Sequence, residues 1–273
     1  MKQPLSHSLL APDEPGPCEV VAGGGGTPYV LLCDHASNRI PRRLRDLGLA
    51  RADREAHIGW DIGAADLARG LARALSAPLV LTSYSRLVID CNRPLDSAGS
   101  IATRSAGVTI AANQGLTAAM IHERRDALFH PYHQAIAALL DERERRRQPT
   151  VVLSLHSFTP DFPGAARPWQ IDFAYHRDRR LAGLLLDHFD APGIVVGDNL
   201  PYAVDDESDY SIPQHGERRG LPHVLIEIRQ DMLATPAAIG IWVERLAGLF
   251  HRLLPDIDRL ARATQPARDH APS

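Results

Sequence analysis

Cysteine is scarce: Cys18, Cys33 and Cys91 are the only three, and no two form a CxxC pair. That excludes a disulfide framework, and an odd count with two thiols inside apolar runs reads as reduced, buried cysteine in a cytoplasmic protein. Lysine is nearly missing, with Lys2 alone, so the basic residues are almost all arginine, a bias that fits genomic base composition. There is no surplus of positive charge. The formal net charge of -3 argues against a nucleic-acid partner. No apolar run approaches the roughly 18 residues of a membrane span, and the Pro-containing N-terminus lacks a signal-peptide core. Gly23 to Gly26 lack the Gly-Lys-Ser/Thr ending of a phosphate loop and precede a strand instead of following one. G-x-S-x-G is absent too, which argues against a serine hydrolase with a nucleophile elbow.

What is present is an ordinary globular composition, 44% hydrophobic and 23% charged. At 273 residues the chain can bury a large core, and no linker divides it. A single domain is expected, with a core over about 29–254, a loose lead-in over 1–28 and a frayed tail over 263–273. Short apolar runs at 29–34, 78–82, 86–91, 150–155, 193–196 and 223–228 read as strands. Helical patterns fall at 62–75, 116–147, 178–189 and 235–254. Val-, Ile- and Leu-rich strands without alternation are expected to be covered on both faces. The alternation of the two element types predicts an α/β fold with a mixed, largely parallel central sheet flanked by helices.

Open α/β sheets bind ligands beyond the carboxyl ends of their strands, so the residues that follow each strand matter most. His35 follows the first run and His156 and Ser157 follow the fourth. Two histidines from separate strands can share a metal ion, since neutral imidazole is the commonest zinc ligand. A catalytic zinc needs a third protein ligand, and Asp61 and His57 in "HIGWDIGA" are at hand. Asp61 would equally make a helix N-cap. Glu227 interrupts the apolar strand "VLIEI". A carboxylate there needs an ion-pair partner or a raised pKa, and a raised pKa is what a general base near neutral pH requires. Arg86 and Arg93 flank "LVIDCN". They can hold an acidic substrate or simply pair with Asp90.

Taken together, "CDHAS", "HIGWDIGA", "YSRLVIDCNRP", "LHSFTP" and "GLPHVLIEIRQD" resemble the N-formylglutamate amidohydrolase family, in the family's order and over about Tyr29 to Leu254. More distantly the layout is similar to the zinc carboxypeptidases, with His35, the pair Asn92 and Arg93, His156 and Glu227 at the matching positions. Carboxypeptidases take a further ligand from a Glu three residues after the first His, where this chain has Asn38. An amide oxygen is a poor substitute for a carboxylate, so Asp61 is the preferred third ligand over Asn38 or His57.

The resemblance implies hydrolysis of N-formyl-L-glutamate, a step in histidine breakdown, with Zn2+ or another divalent metal as cofactor. It assigns Glu227 as general base on a metal-acidified water, and Arg86, Asn92 and Arg93 to the carboxylate of a small acidic N-acyl amino acid. Arg104, Tyr202 and Arg218 lie in polar segments that can line a cleft. Two other readings compete: a zinc peptidase or amidase acting on a small peptide, and a silent protein that binds an acidic metabolite. Binding alone would not need a buried base beside two metal-type histidines.

Overall fold

The computed structural model describes residues 8–161 and 167–263. Its strands are β1 Cys18–Val21, β2 Tyr29–Cys33, β3 Leu79–Thr82, the short hairpin β4 Arg104–Ser105 and β5 Val108–Thr109, β6 Val151–Phe158, β7 Ile171–Ala174, β8 Val196–Asp198 and β9 His223–Arg229. The α-helices are α1 Arg51–Glu55, α2 Ala64–Ala74, α3 Ala118–Arg124, α4 His130–Arg145, α5 Arg180–His188, α6 Pro236–Arg252 and α7 Leu254–Ala263. Seven strands form the main sheet, in the order β1-β3-β2-β6-β9-β7-β8. The four central strands run parallel, whereas β1 and β7 join antiparallel to β3 and β9. The mixed, largely parallel α/β sheet expected from the sequence is the one observed.

Both faces of β2 and β6 are buried, as unbroken apolar runs require. Tyr29, Leu31, Leu153 and Leu155 face a layer built from α2, α5, α6 and α7. There the small residues of α2 let helices approach closely, since a Cβ at Gly70 would lie 2.5 Å from Val243 Cγ2. Val30, Leu32 and Val152 face the opposite layer, where Tyr132, Ile136 and Leu140 of α4 pack with Leu87, Val88 and Ile89.

Several elements depart from expectation. The run 86–91 is not a strand. Its side chains are buried, but its carbonyls are satisfied by side chains instead of a neighbouring strand: Asn113 Nδ2 donates to Leu87 O at 2.8 Å and the buried Arg124 Nη1 to Val88 O at 2.8 Å. The strand expected at 193–196 lies at Val196–Asp198. The lead-in is not wholly loose, because β1 pairs along β3. The short strand β7 was not anticipated. The helix expected over 116–147 is broken by a π turn at Arg125–Phe129, just before Pro131. Proline lacks the N–H that a continuous ladder needs at that point. Beyond α6 the chain continues as α7, and residues 1–7 and 264–273 of the expected loose ends lie outside the described residues. Among the described residues no helix is long and apolar enough to cross a membrane.

The turn into α2 places the candidate site. Gly63 is the N-cap residue, with φ at 81°, and a Cβ there would lie 2.5 Å from Leu233 Cβ and 3.1 Å from Leu233 O. Gly63→Ala should therefore destabilise the fold by about 2–4 kcal/mol, combining left-handed strain with overpacking. Chemical denaturation measures this, and an unchanged midpoint would show that the turn tolerates a side chain.

Candidate active site

Alternation along the strands puts Asp34, His156, Glu227 and Asp172 on one face of the sheet. Asp34 and His35 follow β2 directly, His156 pairs in register with Glu227 across β6 and β9, and Glu227 pairs with Asp172 across β9 and β7. A cavity of about 370 Å³ opens over these ends. His35, Asp61, His156 and Glu227 line it, as do His57, Arg86, Asn92, Arg93, Tyr202 and Asp209.

Its floor is a buried histidine–carboxylate cluster. His35 Nε2 lies 2.7 Å from Asp90 Oδ1, and His156 Nε2 lies 3.1 Å from Asp34 Oδ2. A carboxylate accepts, so in the tautomer that leaves Nδ1 free for a metal each Nε2 carries the proton and donates outward. Both Nδ1 atoms are thereby turned on a single atom, Asp61 Oδ2, at 3.3 Å from His35 and 2.8 Å from His156. In the neutral tautomer, two nitrogen lone pairs and a carboxylate oxygen face one another. That arrangement calls for a cation between them, and these three residues bring ligand atoms within 4.8 Å of one another. The donor set, two imidazoles and one carboxylate with each imidazole backed by another carboxylate, fits a divalent metal such as zinc.

The electrostatics agree. Burial opposes a charge on His156, yet Asp34 and Asp61 override it and raise its pKa well above the ordinary imidazole value. His35 is raised too: burial and Arg86 oppose its charge, but Asp90 and Asp61 prevail. A positive charge at this point, proton or metal, is what the carboxylates stabilise.

Asp34 and Asp90 are themselves closed by donors. Tyr132 and Ser211 hydroxyls donate to Asp34 Oδ1 at 2.8 and 2.5 Å, and Ser154 donates to Oδ2 at 3.0 Å. Arg86 donates to Asp90 Oδ2 through Nε at 2.9 Å and Nη2 at 2.7 Å, while its Nη1 stands 3.6 Å from Asp61.

The expected site residues come together unevenly. His35, Asp61 and His156 meet. Asp61 does not cap α2 with its side chain; its backbone carbonyl accepts from Ala64 N–H at 3.1 Å, leaving the carboxylate to the cluster. His57 lines the cavity away from the cluster, and Asn38 is half-buried and lines no part of it. Arg86 pairs with Asp90, the simpler of its two readings, while still facing the cavity. Asn92 is spent on structure: its Nδ2 donates to Asp209 at 2.9 Å and its Oδ1 accepts from the Tyr210 and Ser211 N–H groups. Arg93 donates to Ser208 O and keeps Asp90 at 4.0 Å. Tyr202 lines the cavity; Arg104 and Arg218 are exposed elsewhere.

Asp34, Tyr132, Ser211, Asp209 and Asp172 were not anticipated, and Asp90 only as a partner for arginine. The signal that singled out Glu227, a carboxylate set against an apolar run, is also present at "LLCD", "VIDC" and "QIDF". Glu227 has no hydrogen-bond partner for its buried Oε2. Burial, helped by the charge of Asp61 and opposed by His156, His35 and Arg86, pushes its pKa up to about 7.

Residues 27–234 match the sequence model of a family described as N-formylglutamate amidohydrolase. No curated protein matches the chain. Among solved structures, a gene product of Agrobacterium tumefaciens superposes with a TM-score of 0.88 at 32% identity, over 92% of this chain and 99% of that one. An N-formylglutamate amidohydrolase from Ralstonia eutropha JMP134 superposes with a TM-score of 0.67 at 20% identity, over 89% of this chain and 99% of its own, a likeness of fold.

Asp172, paired in register with Glu227, is a second buried carboxyl with a raised pKa. It is fully buried, its Oδ1 accepts from Leu200 N–H at 3.0 Å, and its Oδ2 has no partner. Burial, reinforced by the charge of Glu227, pushes its pKa up to about 8. A carboxyl raised above its unfolded value stabilises the fold fully below pH ~4, and that contribution is lost as pH rises to about 8. Asp172→Asn keeps an acceptor for Leu200 and cannot ionise. Its stability relative to the parent should climb between pH 5 and 8 by up to ~1.4 kcal/mol per unit, read from denaturation midpoints. Parallel curves would show that Asp172 does not titrate there.

Proposed function

The chain belongs to the N-formylglutamate amidohydrolase family, and from that membership we propose that it hydrolyses the amide of an acidic N-acyl amino acid, N-formyl-L-glutamate foremost. A divalent metal, zinc by preference, would be held by His35, Asp61 and His156. The observation that carries this reading is the pair of Nδ1 lone pairs turned on Asp61 Oδ2, each imidazole braced from behind by a buried carboxylate. The same proposal places the reaction in histidine breakdown and in the cytoplasm.

When bound, such a cation supplies a water acidified toward neutrality and polarises the amide carbonyl. The remaining steps belong to this chain's own groups. Glu227, without a partner at Oε2 and with a pKa of about 7, is placed to take a proton from the attacking water. It then delivers the proton to the amide nitrogen as the C–N bond breaks, so that formate and the free amino acid leave. Asp90 and Asp34 hold the imidazoles in the tautomer that points Nδ1 inward. Arg93, less tightly compensated than Arg86, offers its charge to the substrate carboxylate. Asn92 serves indirectly, by fixing the 205–211 segment that walls the cavity.

The purified protein should carry stoichiometric divalent metal and release formate from N-formyl-L-glutamate, with activity lost to a chelator and restored by zinc. Glu227→Gln should keep the metal while kcat falls by about 10²–10⁴. A metal-free active enzyme, or a fully active Glu227→Gln, would sink this mechanism. Asp34→Asn should weaken metal binding by about 10–100-fold, because the amide cannot anchor the His156 N–H as a carboxylate does. Competition against a chromogenic chelator reads this directly, and unchanged affinity would remove Asp34 from the support of the site.

A further inference from the structure

Nearly every polar group around the cavity is already committed. His35 and His156 are bound at both nitrogens, Arg86 is taken up by Asp90 and Asp61, and Asn92 by Asp209 and two backbone N–H groups. Besides Arg93, two groups stay open. One is Glu227 Oε2. The other is the half-buried His57, neither of whose ring nitrogens has a hydrogen-bond partner among the described residues. His57 is outside the metal-type cluster, so the sequence motif that suggests it as a ligand needs another explanation.

His57 is carried on a braced turn. Gly59 N–H donates to Ala56 O at 2.9 Å, Ser85 Oγ donates to Gly59 O at 2.7 Å, and Asp61 N–H donates to His35 O at 3.0 Å. The turn is tight enough that a Cβ at Gly59 would lie 2.5 Å from Arg54 O. The same few residues thus present Asp61 to the cluster and His57 to the cavity, from a support with little freedom to move. Burial, with the charges of Arg86 and Arg167, holds the His57 pKa below the ordinary imidazole value. It enters neutral solution uncharged, with one N–H to give.

We propose that His57 is a catalytic residue whose ring N–H donates to the acyl oxygen of the substrate as negative charge grows there. The role rests on the amidohydrolase reading above. A neutral donor adds little to a carboxylate that already has Arg93, whereas an oxyanion forming in a cavity is where a fixed donor acts most strongly. In the step concerned, water oxygen bonds to the acyl carbon and the C=O electron pair moves onto the acyl oxygen. That pair then re-forms C=O, and the C–N pair leaves with nitrogen, which takes its proton from Glu227. His57 keeps its own proton throughout.

The test compares the parent, His57→Ala and His57→Gln, each purified with its metal, for metal content, circular dichroism, and kcat and KM on N-formyl-L-glutamate and a panel of N-acyl amino acids. His57→Ala should keep its metal and its KM within about threefold while kcat falls ~10²–10³-fold. His57→Gln, which retains an N–H donor, should recover at least tenfold of that loss. A normal kcat in a folded His57→Ala overturns the role. So does a rise in KM alone, which would make His57 a ground-state binder, and so does loss of metal from either folded variant, which would make it a ligand. If His57→Ala does not fold, a His57→Gln no better than His57→Asn, whose shorter amide falls back from the cavity, overturns it as well. A parent idle on the whole panel is a different failure: it overturns the amidohydrolase reading, and the His57 role falls with it.

Discussion

Two imidazole lone pairs turned on one carboxylate oxygen are the constraint around which this cavity is built. His35 and His156 come from neighbouring parallel strands, so the sheet sets the distance between them. Their rotation is set from behind, by Asp90 and Asp34 accepting at Nε2. Buried carboxylates cost several kcal/mol each unless they are paired and hydrogen-bonded. The structure answers with a closed shell: Tyr132, Ser211 and Ser154 on Asp34, and the Arg86 fork with the Asn92 N–H on Asp90. Apolar side chains of similar volume often fill such a space without loss of stability. On the proposed function, what the polar shell provides is a pre-aligned set of donors for a cation.

Strand ends were where the sequence spoke most clearly. His35, His156 and Glu227 are recognisable because each interrupts or ends a run that must be buried, and the sheet then brings them together. Asp61 is harder to read, because a carboxylate before a helix is an ordinary cap; only the geometry shows that Gly63 takes the cap position and frees the side chain. The run 86–91 looks like a strand since its hydrophobicity is that of one. Its backbone partners are the side chains of Asn113 and Arg124, from segments whose approach no local pattern reveals. Asp34 and Asp172 carry the same signal as Glu227, a carboxylate against an apolar run, at "LLCD" and "QIDF". Tyr132 and Ser211 are different, as an ordinary helix Tyr and a loop Ser acquire a role through an acid that is distant in sequence.

Glu227 and Asp172 share one rung of the sheet, and both are pushed toward neutrality by burial. Their settings nonetheless differ. Asp172 is tied to Leu200 N–H and closed from solvent, so its proton has nowhere to go during a reaction. Glu227 faces the cavity and carries an unpartnered oxygen. A negative charge on Asp172 would raise the proton affinity of Glu227 further, so a protonated Asp172 suits the base role proposed for Glu227.

The turn Asp90–Arg93 links the metal-type cluster to the substrate wall in four residues. Asp90 orients His35, Asn92 accepts from the Tyr210 and Ser211 N–H groups, and Arg93 reaches Ser208 O while lining the cavity. Ser211 closes the loop by donating to Asp34, behind the second histidine. The cavity cation and the reactive cluster are therefore held by one short, doubly anchored piece of chain, and their separation has little freedom to vary. On the proposed function, a rigid separation between Arg93 and the cluster would select substrates by the distance from acidic group to scissile amide. The same proposal then favours small N-acyl amino acids of fixed length over extended peptides, which would have to fit a cavity of about 370 Å³.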